Sequence, residues 1–136
     1  MIKHILSFAS LLLFASIANA ELTVIVNKAN ANQLDEKTIQ RIFLGKEKKF
    51  ADGSESIPVN QSPDSAMRQQ FDESILGRSS SQVSAYWSKL VFTGKGIPPK
   101  EMMSDAEVIE LVASNPSVIA YIESSSLTDA VKAVEL

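Results

Sequence analysis

Apolar and polar positions along this chain switch between a period near two and a period near four, and the switches divide it into short elements. Residues 22–27 (LTVIVN) form a continuous β-branched apolar run, which predicts a buried strand. A polar connection over 28–34 leads to Asp35, a helix N-cap candidate, with Ile39, Ile42 and Phe43 on one face and Gly45 as the stop. A charged loop over 46–54, turning at Asp52-Gly53, precedes a second short strand over 56–59. Asn60 to Asp64 then read as turn residues. Ser65 opens a helix to Leu76 whose apolar face is Met67, Phe71 and Ile75, ended by Gly77. Ser79 or Ser80 caps a third helix with Val83, Trp87, Leu90 and Val91 at i, i+4, i+7 and i+8.

Residues 93–100 (TGKGIPPK) read as a loop, because two glycines and two prolines suit no element interior. Ser104 and Glu107 have capping-box spacing and start a helix on Val108, Leu111 and Val112, which Asn115-Pro116 ends. Residues 118–122 (VIAYI) predict a third strand and 131–136 a fourth. Strands alternating with helices predict the α/β class, with a small sheet, mainly parallel or mixed, flanked by helices.

The first twenty residues change the domain picture. Lys3 and His4 make a short polar start, residues 5–17 are apolar or small, and Ala18-Asn19-Ala20 has the small-x-small form of a cleavage site. This predicts a secretory signal peptide over 1–20, cut between Ala20 and Glu21, and one domain over 21–136. The formal net charge is −3 and the lysines are dispersed, so no basic face for nucleic acid is expected. The chain has no cysteine, and its one histidine, His4, lies in the predicted leader. That composition removes histidine triads, cysteine nucleophiles and ordinary zinc sites, so no catalytic residue, metal or cofactor is expected. Phosphate-loop spacing also fails: Gly45-Lys46 is followed by Glu47, and Gly77-Arg78-Ser79 lacks the lysine. Asp72-Glu73 and Asp105 with Glu107 read as solvated faces rather than acid/base pairs.

What remains is the segment 57–71, IPVNQSPDSAMRQQF. A strand feeding a serine-rich turn and a helix start is an anion site in outline. The first-turn N–H groups have no intrahelical partner, and the helix dipole places partial positive charge there. Ser65 reads either as a simple cap or as a cap that also contacts an anion. Ser62 is either a second hydroxyl donor or a turn residue. Arg68 either adds a fixed charge or is a solvated first-turn residue. Lys95, between glycines, either closes over the anion, touches a partner or simply sits on a surface loop.

Taken in order, the segments VIVNKAN (24–30), IQRIFLGKEKKFADG (39–53), IPVNQSPDSAMRQQF (57–71), ILGRSSSQVSAYW (75–87), FTGKGIPP (92–99) and EVIELVASNPSVIAYIE (107–123) resemble one lobe of the phosphate-binding proteins of ABC importers, class II periplasmic binding proteins. The resemblance implies a periplasmic α/β lobe that holds phosphate or a similar oxyanion through Ser65 and the backbone N–H groups of Ala66 and Met67. It reaches only the second lobe of those two-lobed proteins. Where larger members carry an arginine four residues before the serine, this chain has Gln61, and Arg68 is the substitute from the other side.

A charge-assisted hydrogen bond contributes about 1.5–3 kcal/mol, and micromolar affinity needs about −8 kcal/mol. One open wall therefore predicts weak binding unless a homodimer or a partner adds a second wall. The implied partners are an ABC permease or an outer-membrane porin. The alternative reading is a binding-protein lobe that has lost its ligand and serves as an interaction module contacting a porin, permease or sensor.

Overall fold

The structure, a computed structural model, describes residues 20–136. The expected signal peptide, Ala20 apart, lies outside the described residues. The strands are β1 (Leu22–Val26), β2 (Ile57–Gln61), β3 (Lys100–Met102), β4 (Val118–Glu123) and β5 (Lys132–Val134). The helices are α1 (Glu36–Phe43), α2 (Ala66–Ser74), α3 (Ser80–Phe92) and α4 (Asp105–Ser114), with a 3-10 turn at Ser124–Ser126.

The five strands form one sheet in the order β3-β2-β4-β1-β5. The sheet is mixed: β2 runs parallel to β3 and β4, whereas β1 runs antiparallel to β4 and β5. Side-chain alternation decides which residue enters which layer. From β1 and β4, Val24, Val26, Ile119 and Tyr121 point to the face covered by α1, α2 and α3, where they meet Ile39, Phe43, Phe71 and Val83. Ile25, Val118, Ala120 and Ile122 point to the opposite face and pack on Val108 and Val112 of α4. The result is helix–sheet–helix layering. It explains why the 22–27 and 118–122 runs are continuously apolar: both faces of the central strands are covered.

Helix starts follow the local chemistry. Asp35, Ser65, Ser79 and Ser104 are the four N-caps, each accepting from the N–H three residues on. Thr38 hydrogen bonds hold the Asp35 carboxyl below its ordinary value. Ser79, not Ser80, caps α3, in a full capping box with Gln82. The expected box at Ser104 is half present, because the Glu107 carboxylate accepts from Met103 N–H instead.

Two departures concern strands. Asn60 and Gln61, expected in the turn, complete β2 and are buried. β3 falls where the 93–100 loop was expected to end. Its three residues are exposed or half-exposed and carry no apolar alternation to announce a strand. It forms because the backbone of 100–102 pairs with Val59–Gln61.

Candidate functional site

β2 ends at Gln61, and the chain turns sharply before α2. Ser62 N–H donates to Met102 C=O at 3.0 Å, tying the turn to β3, and Ser65 N–H donates back to Ser62 C=O at 2.9 Å. The turn thus brings Ser62, Ser65, Ala66 and Met67 together at the N-terminus of α2. No acceptor within the described residues is bonded to the N–H of Ala66 or Met67. Among helix positions these are the groups left without an intrahelical partner, and they sit at the positive end of the dipole.

The side chains beneath the turn are locked. Gln61 sits at the centre: its Nε2 donates to Asp105 Oδ1 at 2.8 Å and to Tyr121 C=O at 3.0 Å, while its Oε1 accepts from Ser65 Oγ at 2.7 Å. A serine hydroxyl has one proton. Ser65 must therefore release Gln61 before it can donate to an anion. Its lone pair also receives Arg68 N–H at 3.4 Å, the cap contact. Tyr121 Oη accepts from Gln61 N–H at 3.1 Å and donates to Asn60 Oδ1. Its ring stacks on Phe71 with centroids 4.1 Å apart. Burial pushes the Tyr121 phenol well above its ordinary value, against a smaller opposing hydrogen bond from Gln61.

Arg68 is 7% exposed and is engaged on several sides. Its Nε lies 3.0 Å from Asp72 Oδ2, its Nη1 donates to Gln61 C=O at 3.0 Å, and the same Nη1 reaches Glu101 Oε2 at 3.3 Å. Asp72 is fully buried and also accepts from Ser80 Oγ at 2.9 Å. Asp72 is therefore not on a solvated face, as its sequence context suggested. Nor is Asp105, which accepts from Gln61, from Glu123 N–H and from Ser126 Oγ at 2.7 Å. Burial of Arg68 against Asp72 one helical turn on is why a cation can sit in the first turn of α2 without facing the dipole alone.

Lys95 is elsewhere. It is exposed on the 93–99 loop and lines a cavity with Lys48, Tyr86 and Trp87, a set that includes none of the α2 turn residues. Arg68 borders a different hollow with Pro63, Ser84, Phe92 and Glu101. Trp87 and Phe71 are core, as their helical spacing predicted. Sequence reasoning missed Gln61, Asp72, Glu101 and Asp105 as the polar frame of the turn. The one available signal was Gln61 itself, four residues before Ser65 in a strand end that read as turn. Among the described residues no His/Cys/Asp/Glu group is arranged to hold a metal, and no helix is long and apolar enough to cross a membrane.

No protein-family model and no curated protein matches the sequence. Solved structures do match in fold. An ABC-type phosphate transport receptor from Vibrio cholerae superposes with a TM-score of 0.65 at 21% identity, over 84% of this chain and 45% of that one. A protein from Clostridium perfringens assigned as a phosphate ABC transporter substrate-binding protein, solved with bound phosphate, gives 0.66 at 22% identity, over 84% and 44%. One from Planctomyces limnophilus assigned as phosphate-binding gives 0.62 at 16%, over 83% and 40%. The chain spans less than half the length of each of these structures. It has the α/β fold of one lobe of a phosphate ABC transporter substrate-binding protein.

Proposed function

We propose that this protein is a periplasmic oxyanion-binding lobe of ABC-type uptake, with phosphate or a similar anion held at the N-terminus of α2. The observation that carries this reading is the pair of unpartnered N–H groups at Ala66 and Met67, at the open end of β2. The fold shared with a neighbour solved with bound phosphate supports it. Ser65 adds its hydroxyl by exchanging Gln61 for the anion, Ser62 lies within the same turn, and Arg68 contributes a field already shared with Asp72 and Glu101. This wall offers few free donors, so high affinity requires a second wall, from a homodimer or from a membrane partner such as a permease or porin.

Ala66 is the first helical residue after the cap, where proline is accepted because its missing N–H has no helical partner in any case. Ala66→Pro therefore deletes one anion donor and leaves the fold. Isothermal titration of phosphate into the purified protein, with sulfate as control, should give saturable heat that Ala66→Pro and Ser65→Ala each weaken. Equal binding in both variants would remove the site from α2.

A second reading is favoured by the same geometry. The Ser65 proton is donated to Gln61 and the Arg68 charge faces two carboxylates, so the turn has internal partners for most of what it could offer an anion. In that reading the lobe is an interaction module contacting a porin, permease or sensor. Absence of phosphate heat at millimolar concentration in the folded protein would select it.

A further inference from the structure

Away from α2, the C-terminal end of α1, the 46–56 loop, α3 and the 93–99 loop enclose a cleft on either side of Trp87. On one side lies a cavity of about 650 Å³, lined by Leu44, Tyr86, Trp87 and Leu90, with Lys48 and Lys95. On the other lies one of about 240 Å³, which shares Gly45, Lys48, Trp87 and Ile97 with the first and adds Ser56 and Lys100. The larger falls within the roughly 300–1,000 Å³ of small-molecule sites, and like them it combines an apolar, aromatic wall with a few polar groups.

We infer that this cleft binds a small organic carboxylate, its apolar body against Tyr86, Trp87 and Leu90 and its charge among Lys48, Lys95 and Lys100. Three observations converge. First, the lysines are free: the ion pairs among the described residues both belong to Arg68. Second, three lysines line the two cavities against one carboxylate, Glu47, which accepts from the N–H groups of Lys48 and Lys49 at 3.1 and 3.2 Å, so the lining has an excess of positive charge. Third, Ser56 lines the smaller cavity, is only 6% exposed, and its shielded Oγ has no hydrogen-bond partner among the described residues. A buried hydroxyl without a partner is destabilising, and an acceptor entering from the cleft would satisfy it. None of Ser62, Ser65, Ala66 and Met67 lines either cavity, so this is a second site, independent of the oxyanion reading.

Trp87 is the single tryptophan of the chain and lines both cavities of the cleft. It also borders the hollow beside Arg68, so the lysine variants below assign any emission change to the cleft. Cyclohexanecarboxylate, which does not absorb where indole does, should change that emission saturably, and the neutral cyclohexanecarboxamide should not. Lys48→Gln combined with Lys95→Gln should weaken the response severalfold. Ser56→Ala should weaken it while leaving thermal stability unchanged or slightly raised, because the orphan hydroxyl is gone. Saturating phosphate should not displace the probe, and Ala66→Pro should bind it normally. A flat emission at millimolar carboxylate, an equal response to the carboxamide, or full binding by the double lysine variant would overturn the assignment.

Discussion

The turn before α2 and the cleft around Trp87 are both rich in polar groups, and they treat those groups in opposite ways. Under the turn, Gln61, Arg68, Asp72, Asp105 and Tyr121 bond to one another or to backbone, and each is buried or half-buried. In the cleft, three lysines have no counter-ion and Ser56 has no partner among the described residues. A satisfied buried network fixes a shape, because any departure strands a polar group in low dielectric. The lysines are exposed and hydrated, so only the buried Ser56 hydroxyl costs stability, and the whole set is available to whatever enters. The backbone N–H groups of Ala66 and Met67 are the one part of the first region that resembles the second, and the oxyanion reading rests on them.

The contrast is broken most severely by cutting the buried ion pair. Asp72→Ala leaves the Arg68 guanidinium buried with only the half-exposed Glu101 opposite, and should destabilise by about 3–5 kcal/mol in denaturant unfolding. Replacing both partners with apolar residues, Arg68→Met with Asp72→Leu, should recover much of that loss. No recovery would mean that the contacts to Gln61 and Ser80, not the charges, dominate.

Gly45 tests the cleft wall. It has φ +71°, and a Cβ there would lie 2.9 Å from Trp87 Cη2. Gly45→Ala should cost about 1–3 kcal/mol and shift Trp87 emission, since both the backbone conformation and the indole position are opposed.

Tyr121 tests the network through pH. Its phenol is held neutral by burial, so the folded state keeps the proton more tightly than the unfolded one, whose ordinary value is 10.0. The contribution to stability is fully present below about pH 10 and is lost as pH rises beyond it. Tyr121→Phe should be less stable at neutral pH by about 1–3 kcal/mol, because Asn60 Oδ1 and Gln61 N–H lose a partner. Its further loss above pH 10 should be shallower than that of the parent protein. Parallel alkaline curves would show that Tyr121 does not titrate with unfolding. The smallest effect belongs to Ser56→Ala, whose stability change should lie within about 0.5 kcal/mol of zero.

Local rules carried the helices well. Caps at Asp35, Ser65, Ser79 and Ser104 and the apolar spacing Met67–Phe71–Ile75 are encoded within a few residues, and the structure uses them; Val91, expected on the apolar face of α3, is instead 53% exposed. The strand β3 was not legible, because its three residues are held by pairing with Val59–Gln61 rather than by any pattern of their own. Asp72 and Asp105 looked solvated because their partners Arg68, Gln61 and Ser126 meet them only after the layers pack.

The sequence by itself determined the α/β layering, the covered central strands and the presence of a helix N-terminus at Ser65. It also removed histidine and cysteine chemistry from residues 21–136. Periodicity, capping and composition are local or additive properties, and one chain suffices to read them. Only the tertiary structure decided that Arg68 is buried against two acids, that Ser65 donates to Gln61, and that Lys95 stands with Lys48 beside Trp87. Those outcomes depend on which side chains meet across elements far apart in sequence, and no spacing along the chain specifies such a meeting.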